Sequence, residues 1–216
     1  KALELRFDGM TVYLRGSNSP SKLASVPVKY LFFDETDKME GASKKEASPY
    51  KLATERTKTY ANSKKIVSVS TPTLKTNYTW TLHMNADEQR RFFMPCPHCG
   101  KEIVFVFAQL QFEKLEDVSN LERASTAVYV CQECGGHITD KDKYNMLQRG
   151  NWRGENKKCS GRPRSVSFHI NAMYSRFLTW QDIAKEFLDS KDDPELLQNF
   201  VNSWLAEPWE DTKLKT

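Results

Sequence analysis

Tyr30-Leu31-Phe32-Phe33-Asp34-Glu35-Thr36-Asp37 sets four consecutive apolar residues directly against a pair of acids. Continuous rather than alternating apolarity predicts a strand covered on both faces, as in the middle of a parallel sheet. Ile66 to Val69 reads as a second short buried strand, stopped by Ser70-Thr71-Pro72-Thr73. Between the two, residues 49–62 carry helical spacing at Tyr50, Ala53, Thr57 and Tyr60, with Pro49 near the first turn. Strand, helix, strand is a βαβ unit, so the expected class is α/β with a parallel sheet. Ligands of such sheets bind outside the carboxyl ends of the strands. There the first acid could hold Mg²⁺ bridging two phosphates, and the second could activate a water. On this motif alone, a core strand running into a solvated acidic turn is the weightier reading.

Upstream, residues 1–15 alternate as two strands turning at Asp8-Gly9, a strong hairpin dipeptide. The chain opens without Met, inside the first of these strands (Leu3, Leu5, Phe7), which suggests that partner residues lie further upstream. Ser21 could cap a short helix through Ser25. No G-x-x-x-x-G-K-[ST] loop occurs; the stretches Gly41–Lys45 and Gly154–Lys158 have the wrong spacing. Either Asp34-Glu35 is not a nucleotide site, or the phosphate loop precedes Lys1.

Over 216 residues, 39% hydrophobic and 12% aromatic content provides for a real core, and the net charge of +4 is mild. This composition excludes a disordered tail and a collagen-like repeat. The longest clean apolar run, Ile103 to Ala108, is far too short to cross a bilayer, and no signal peptide opens the chain.

Downstream, five cysteines fall as Cys96-Pro-His-Cys99, Cys131-Gln-Glu-Cys134 and a lone Cys159. Two thiolates three residues apart can face one tetrahedral ion, and the glycine after each pair (Gly100, Gly135) lets the backbone turn with positive φ. Disulfides within such short loops would be strained. The expectation is therefore a structural Zn²⁺ on Cys96, Cys99, Cys131 and Cys134, closed to substrate because all four positions are protein thiolates. His98 and His137 then read as solvent-facing loop residues. The gap between the pairs exceeds ordinary zinc-ribbon spacing, and apolar alternation at Ile103, Phe105, Phe107, Val128 and Val130 predicts a hairpin filling it.

Residues 140–165 hold eight cations against three acids. Arg149, Arg153, Lys157, Lys158, Arg162 and Arg164 could grip DNA phosphates without reading bases, or simply form a solvated loop. Trp152, Trp180, Trp204 and Trp209 read as core or interface anchors, since duplex DNA offers no free base faces. Val166, Phe168 and Ile170 alternate as a third strand, followed by helices over 180–190 and 194–205 and a polar end.

Taken together, YLFFDETD (30–37), KIVSVSTPT (65–73), CPHCG, CQECG, NAMYSRFLTW and LQNFVNSWLAEPWE resemble the lambda-type large terminase subunits of tailed phages, in the right order and over nearly the whole chain. Such proteins cut concatemeric viral DNA and pump it into an empty capsid, with an ATPase domain first and a metal-dependent nuclease second. The resemblance implies the later part of a P-loop NTPase (RecA/ASCE-like) domain interrupted by a Cys₄ zinc ribbon. Residues 1–92 would be ATPase core and 93–144 the ribbon. Residues 145–205 would return to the core, and 206–216 would link to the nuclease. YLFFDETD would be the Walker B segment, with Asp34 the Mg²⁺/ATP aspartate and Glu35 the catalytic carboxylate. Ser70, Thr71 and Thr73 would couple hydrolysis to DNA movement, and Arg15 and Asn18, in the loop from Leu14 to Ser19, would meet the DNA backbone. Implied partners are double-stranded viral DNA, the small terminase subunit, the capsid portal and further copies of the motor, in the bacterial host cytoplasm and away from membranes. The 216 residues alone would be inactive, lacking the phosphate loop and the nuclease carboxylates.

Two rivals stand beside this. Asp34-Glu35-Thr36-Asp37 also suits a DExD-type helicase, although nothing downstream resembles a second helicase lobe. A zinc-ribbon module that binds nucleic acid without chemistry is the other.

Overall fold

The computed structural model describes residues 3–18, 20–39 and 47–210. Ser19, the Gly41–Lys45 stretch and the polar end from residue 211 lie outside the described residues. Two units follow one another along the chain, Lys1–Ser70 and Thr71–Thr216.

The first unit opens with strands β1 (Leu3–Phe7) and β2 (Met10–Leu14), paired antiparallel with Phe7 opposite Met10. Gly9 supplies the positive φ, 71°, that lets the chain reverse in two residues. A four-residue helix α1 (Pro20–Leu23) leads to β3 (Tyr30–Asp34). Helix α2 (Pro49–Glu55) starts with Pro49 in its first turn, and the Ser48 hydroxyl accepts from the Lys51 N–H at 3.4 Å. Strand β4 (Lys65–Val69) then pairs parallel with β3, Tyr30 opposite Lys65 and Asp34 opposite Val69. The βαβ reading is what the backbone adopts.

The burial of β3 departs from expectation. Phe33 is buried and stacks on Tyr50 of α2 at 4.5 Å, but Tyr30 and Phe32 on the opposite face are 53% and 73% exposed. Val67 and Val69 share that uncovered face. Among the described residues β3 and β4 form a two-stranded sheet covered on one side. The continuous apolar run thus carries more apolar surface than these residues cover.

The second unit begins with α3 (Tyr78–Asn85) and β5 (Glu88–Pro95), followed by β6 (Glu102–Ile103) and β7 (Leu110–Gln111). Then come α4 (Asn120–Ser125), β8 (Val128–Val130), β9 (His137–Ile138) and α5 (Asp140–Arg149). Strands β10 (Asn151–Lys157) and β11 (Val166–His169) and helices α6 (Trp180–Ser190) and α7 (Pro194–Asn199) complete it, α7 running on as a π-turn over Phe200–Trp204. β10 pairs antiparallel and β11 parallel with β5, while β8 lies between β7 and β9.

Three expectations change here. The gap between the cysteine pairs holds helix α4 as well as strands, because Ser119 and Glu122 form a reciprocal capping box that starts a helix. Most of the basic stretch is α5 and β10, with Lys143 buried over the Trp180 ring at 4.2 Å and its ammonium bonded to the Leu178 carbonyl, while Lys158, Arg162 and Arg164 lie in the loop that follows. The third strand, β11, joins β5 rather than β3 and β4. Alternation reveals that a segment is a strand but not which strand it joins.

One core serves the whole unit. Trp180 meets Phe105 edge-on at 5.1 Å and stacks on Tyr129 at 5.2 Å, while its indole N–H donates to the Ile138 carbonyl. Helix α6 buries Trp180, Ile183, Ala184 and Leu188, the spacing of a single helical face. The Tyr174 hydroxyl donates to the Phe92 carbonyl and accepts from the Phe105 N–H, tying β5 to the segment after β6. Among the described residues no helix is long and apolar enough to cross a membrane.

Candidate nucleotide site and metal centre

Strand β3 delivers Asp34 as its last residue, and the chain then turns sharply. Glu35 adopts φ 51° and ψ 49°, the left-handed region, which costs a side-chain-bearing residue about 1–3 kcal/mol. A 3₁₀ turn over Thr36–Lys38 follows, closed by the Lys38 N–H on the Glu35 carbonyl at 2.9 Å. Both acids are exposed rather than walled in by the strand. Glu35 pairs with Lys38 at 3.0 Å, an exposed i,i+3 contact that a ligand could displace at little cost.

Both carboxylates line a cleft of about 620 Å³, together with Arg15, Ser17, Lys38 and Arg56. That is within the usual range of ligand pockets, about 300–1,000 Å³. Arg15 is already engaged: it lies 5.2 Å over the Tyr13 ring and pairs with Glu4 at 3.5 Å. Arg56 donates to the Ala24 carbonyl at 3.1 Å. Asn18 is exposed.

The coupling segment divides between the units. Ser70 ends the first, and its hydroxyl accepts from the Asp37 N–H at 3.2 Å, just behind Glu35. Two residues earlier, on β4, Ser68 accepts from the Thr36 hydroxyl at 3.3 Å. Neither Thr36 nor Ser68 stands out in the sequence; the hydroxyls two residues apart at the end of β4 and just past it, Ser68 and Ser70, are the available signal. Thr71 and Thr73 open the second unit. The Thr73 hydroxyl meets the Asn77 amide at 2.6 Å, and its carbonyl accepts from the Trp209 N–H and the Asn202 amide. Asn202, nearly buried, also donates to the Glu207 carbonyl at 2.8 Å.

The four cysteines converge. Their sulfurs all lie within 4.8 Å of one another, with Cys96 Sγ 4.0 Å from Cys134 Sγ. Tetrahedral thiolates about 2.3 Å from one ion would have edges of about 3.8 Å, and a disulfide needs about 2.05 Å. The two loops are built alike. Gly100 and Gly135 have φ 71° and 72°, each donates to the carbonyl of the first cysteine of its pair, and both bonds are 2.9 Å. Burial pushes the Cys96 thiol up to about 12, so a cation is needed to hold it as thiolate. The donor set therefore fits a metal ion. His98 and His137 are exposed, the His98 ring bonding the His137 carbonyl at 2.7 Å.

Residues 1–152 match the family model for the ATPase domain of the phage terminase large subunit gpA. The chain belongs to this terminase family. Residues 165–216 match the endonuclease domain of the same large subunit. The terminase large subunit of Enterobacteria phage P21 is 30% identical over 227 residues, covering 94% of this chain and 34% of that protein. The terminase large subunit of Escherichia phage lambda is 31% identical over 137 residues, covering 56% of this chain and 21% of that protein. The chain thus spans about a third or less of the length of these terminases. No solved structure matches it.

This terminase chain brings the two matched stretches into one sheet, β11 from the endonuclease match lying against β5 from the ATPase match. The endonuclease match begins at 165, within the stretch that sequence assigned to the ATPase core and a linker. The basic residues are exposed but not all free. Arg153 pairs with Glu102, and the Lys158 ammonium bonds the Met84 carbonyl. Arg149, Lys157, Arg162 and Arg164 are also exposed.

Proposed function

We propose that this chain is part of an ATP-driven motor that moves double-stranded viral DNA into a capsid, in a full-length protein that also cuts concatemeric DNA. One observation carries this reading: a parallel strand pair presents Asp34 and Glu35 at a cleft sized for a nucleotide, with a hydroxyl at the end of the neighbouring strand bonded to the turn behind them. Asp34 serves as magnesium ligand and Glu35 orients the attacking water. A magnesium ion held by Asp34 would supply charge neutralisation for phosphoryl transfer. Ser70, with Thr71 and Thr73, passes the state of the site along the chain, since a hydroxyl can register a change by gaining or losing one bond. In the expected division, residues 1–92 are ATPase core, residues 93–144 a zinc ribbon, residues 145–205 a return to the core and residues 206–216 a linker toward the nuclease.

The tetrahedral sulfur cluster holds structural Zn²⁺ on Cys96, Cys99, Cys131 and Cys134, with no open position for chemistry. Arg149, Arg153, Lys157, Lys158, Arg162 and Arg164, with Arg15 and Asn18, supply sequence-independent contacts to DNA phosphates. The small terminase subunit, the portal and further copies of the motor are the partners, in the bacterial host cytoplasm. The 216 residues alone turn over no ATP, because no phosphate-cradling loop occurs among them.

The test is Asp34→Asn in the full-length protein. ATP turnover is expected to fall at least about 100-fold; turnover equal to wild type would contradict the assignment.

A further inference from the structure

The turn behind Glu35 is tied to the neighbouring strand. Thr36 is completely buried, and its hydroxyl donates to Ser68 of β4. The next residue, Asp37, donates its N–H to Ser70. Both bonds run from the turn to hydroxyls two residues apart, Ser68 of β4 and Ser70 just past its end. Glu35 itself contributes only an exposed ion pair to Lys38, which cannot set the direction of a carboxylate. A left-handed residue persists only where its surroundings over-determine it.

We propose that Thr36 and Ser68 are positioning residues for the Glu35 carboxylate. This rests on Glu35 being the catalytic acid. This part-buried hydroxyl bond, from a buried threonine to an exposed serine, pins the first residue after Glu35 to β4 and so fixes the backbone from which the carboxylate projects. Neither side chain needs to touch nucleotide. Loss of the bond lets the turn relax, and the water is then activated from a wrong angle while the cleft still accepts ATP. Misplacement of a catalytic group by a fraction of an ångström lowers the rate of chemistry more than it lowers affinity.

The experiment uses the full-length protein and measures ATP turnover for Thr36→Val, Thr36→Ser, Ser68→Ala, Thr36→Val with Ser68→Ala, and Glu35→Gln. Thr36→Val keeps the shape and removes the hydroxyl. Its kcat is expected to fall about ten-fold with KM for ATP within about two-fold, and Thr36→Ser should restore most of the rate. Ser68→Ala should cause a similar fall, and the double variant no more than either alone, because both remove the same bond. Thermal unfolding of each variant separates this from simple loss of fold, which would lower the active fraction and would not be rescued selectively by serine. Unchanged kcat for Thr36→Val, a rise in KM instead, or fully additive losses would each overturn the proposal. Glu35→Gln keeps the two claims apart. If it retains turnover, the assignment of Glu35 fails; if it abolishes turnover while Thr36→Val is silent, only the positioning role fails.

Discussion

The two units spend their apolar residues differently. In the second, Trp180, Tyr129, Phe105 and Ile183 close around one another, and the helix starts are fixed by capping boxes at Ser119, Thr139 and Thr179. In the first, Phe32, Tyr30, Val67 and Val69 face outward, and the hairpin exposes Leu3, Phe7 and Met10. The second unit also exposes Phe168, Ile170 and Phe177, but its packed core resists change, whereas an uncovered sheet face does not feel change there. The acids sit beside the uncovered face and the sulfur cluster within the packed core, as the proposed roles of ligand exchange and fixed metal binding would require.

The largest effect should come from the sulfur cluster. Structural zinc in small domains contributes about 10–16 kcal/mol of apparent binding free energy, so Cys131→Ser or a strong chelator should unfold much of the second unit. Elemental analysis should find one zinc per chain; a freshly folded, metal-free sample with unchanged unfolding temperature would remove the claim. Trp180→Ala comes next, at about 3–5 kcal/mol by denaturant unfolding. Asn202→Leu leaves the Thr73 and Glu207 carbonyls without its amide and should cost about 1–3 kcal/mol. Phe32→Thr in the 216-residue chain should change stability by less than about 0.5 kcal/mol. A loss as large as that of Trp180→Ala would show that something covers the β3 face and would erase the contrast.

A pH effect belongs to the buried histidines of the second unit. Burial, then the neighbouring His169, Arg91 and Lys158 cations, hold His83 down to about 4. His169 is lowered too, by burial first and Arg91 next. The unfolded chain takes up these protons near pH 6.5 and the folded chain only well below it, so folding is favoured above about 6.5 and loses stability as pH falls toward about 4. His83→Gln should flatten that slope in unfolding curves taken between those values.

Much of this was legible in the residues. Asp8-Gly9 marked the hairpin, the helix over 180–190 was read at its full length, and the glycine after each cysteine pair marked the positive φ that both adopt. What stayed hidden was non-local. Strand β5 reads Glu-Gln-Arg-Arg before it turns apolar, yet Glu88 and Gln89 are buried because Arg90 bonds Glu88 at 2.6 Å and Gln89 bonds the His83 carbonyl. Nothing local announces such a strand, so the pairing of β11 across more than seventy residues could not be read. The buried faces of β3 were over-read for the opposite reason: an apolar run records what a strand is made to meet, not what lies against it.

The most direct measurement follows ATP binding and ATP turnover together in full-length Glu35→Gln. The account predicts that nucleotide still binds, since Asp34 and the cleft are intact, while turnover falls to background. Turnover at the wild-type rate in a pure preparation would contradict it.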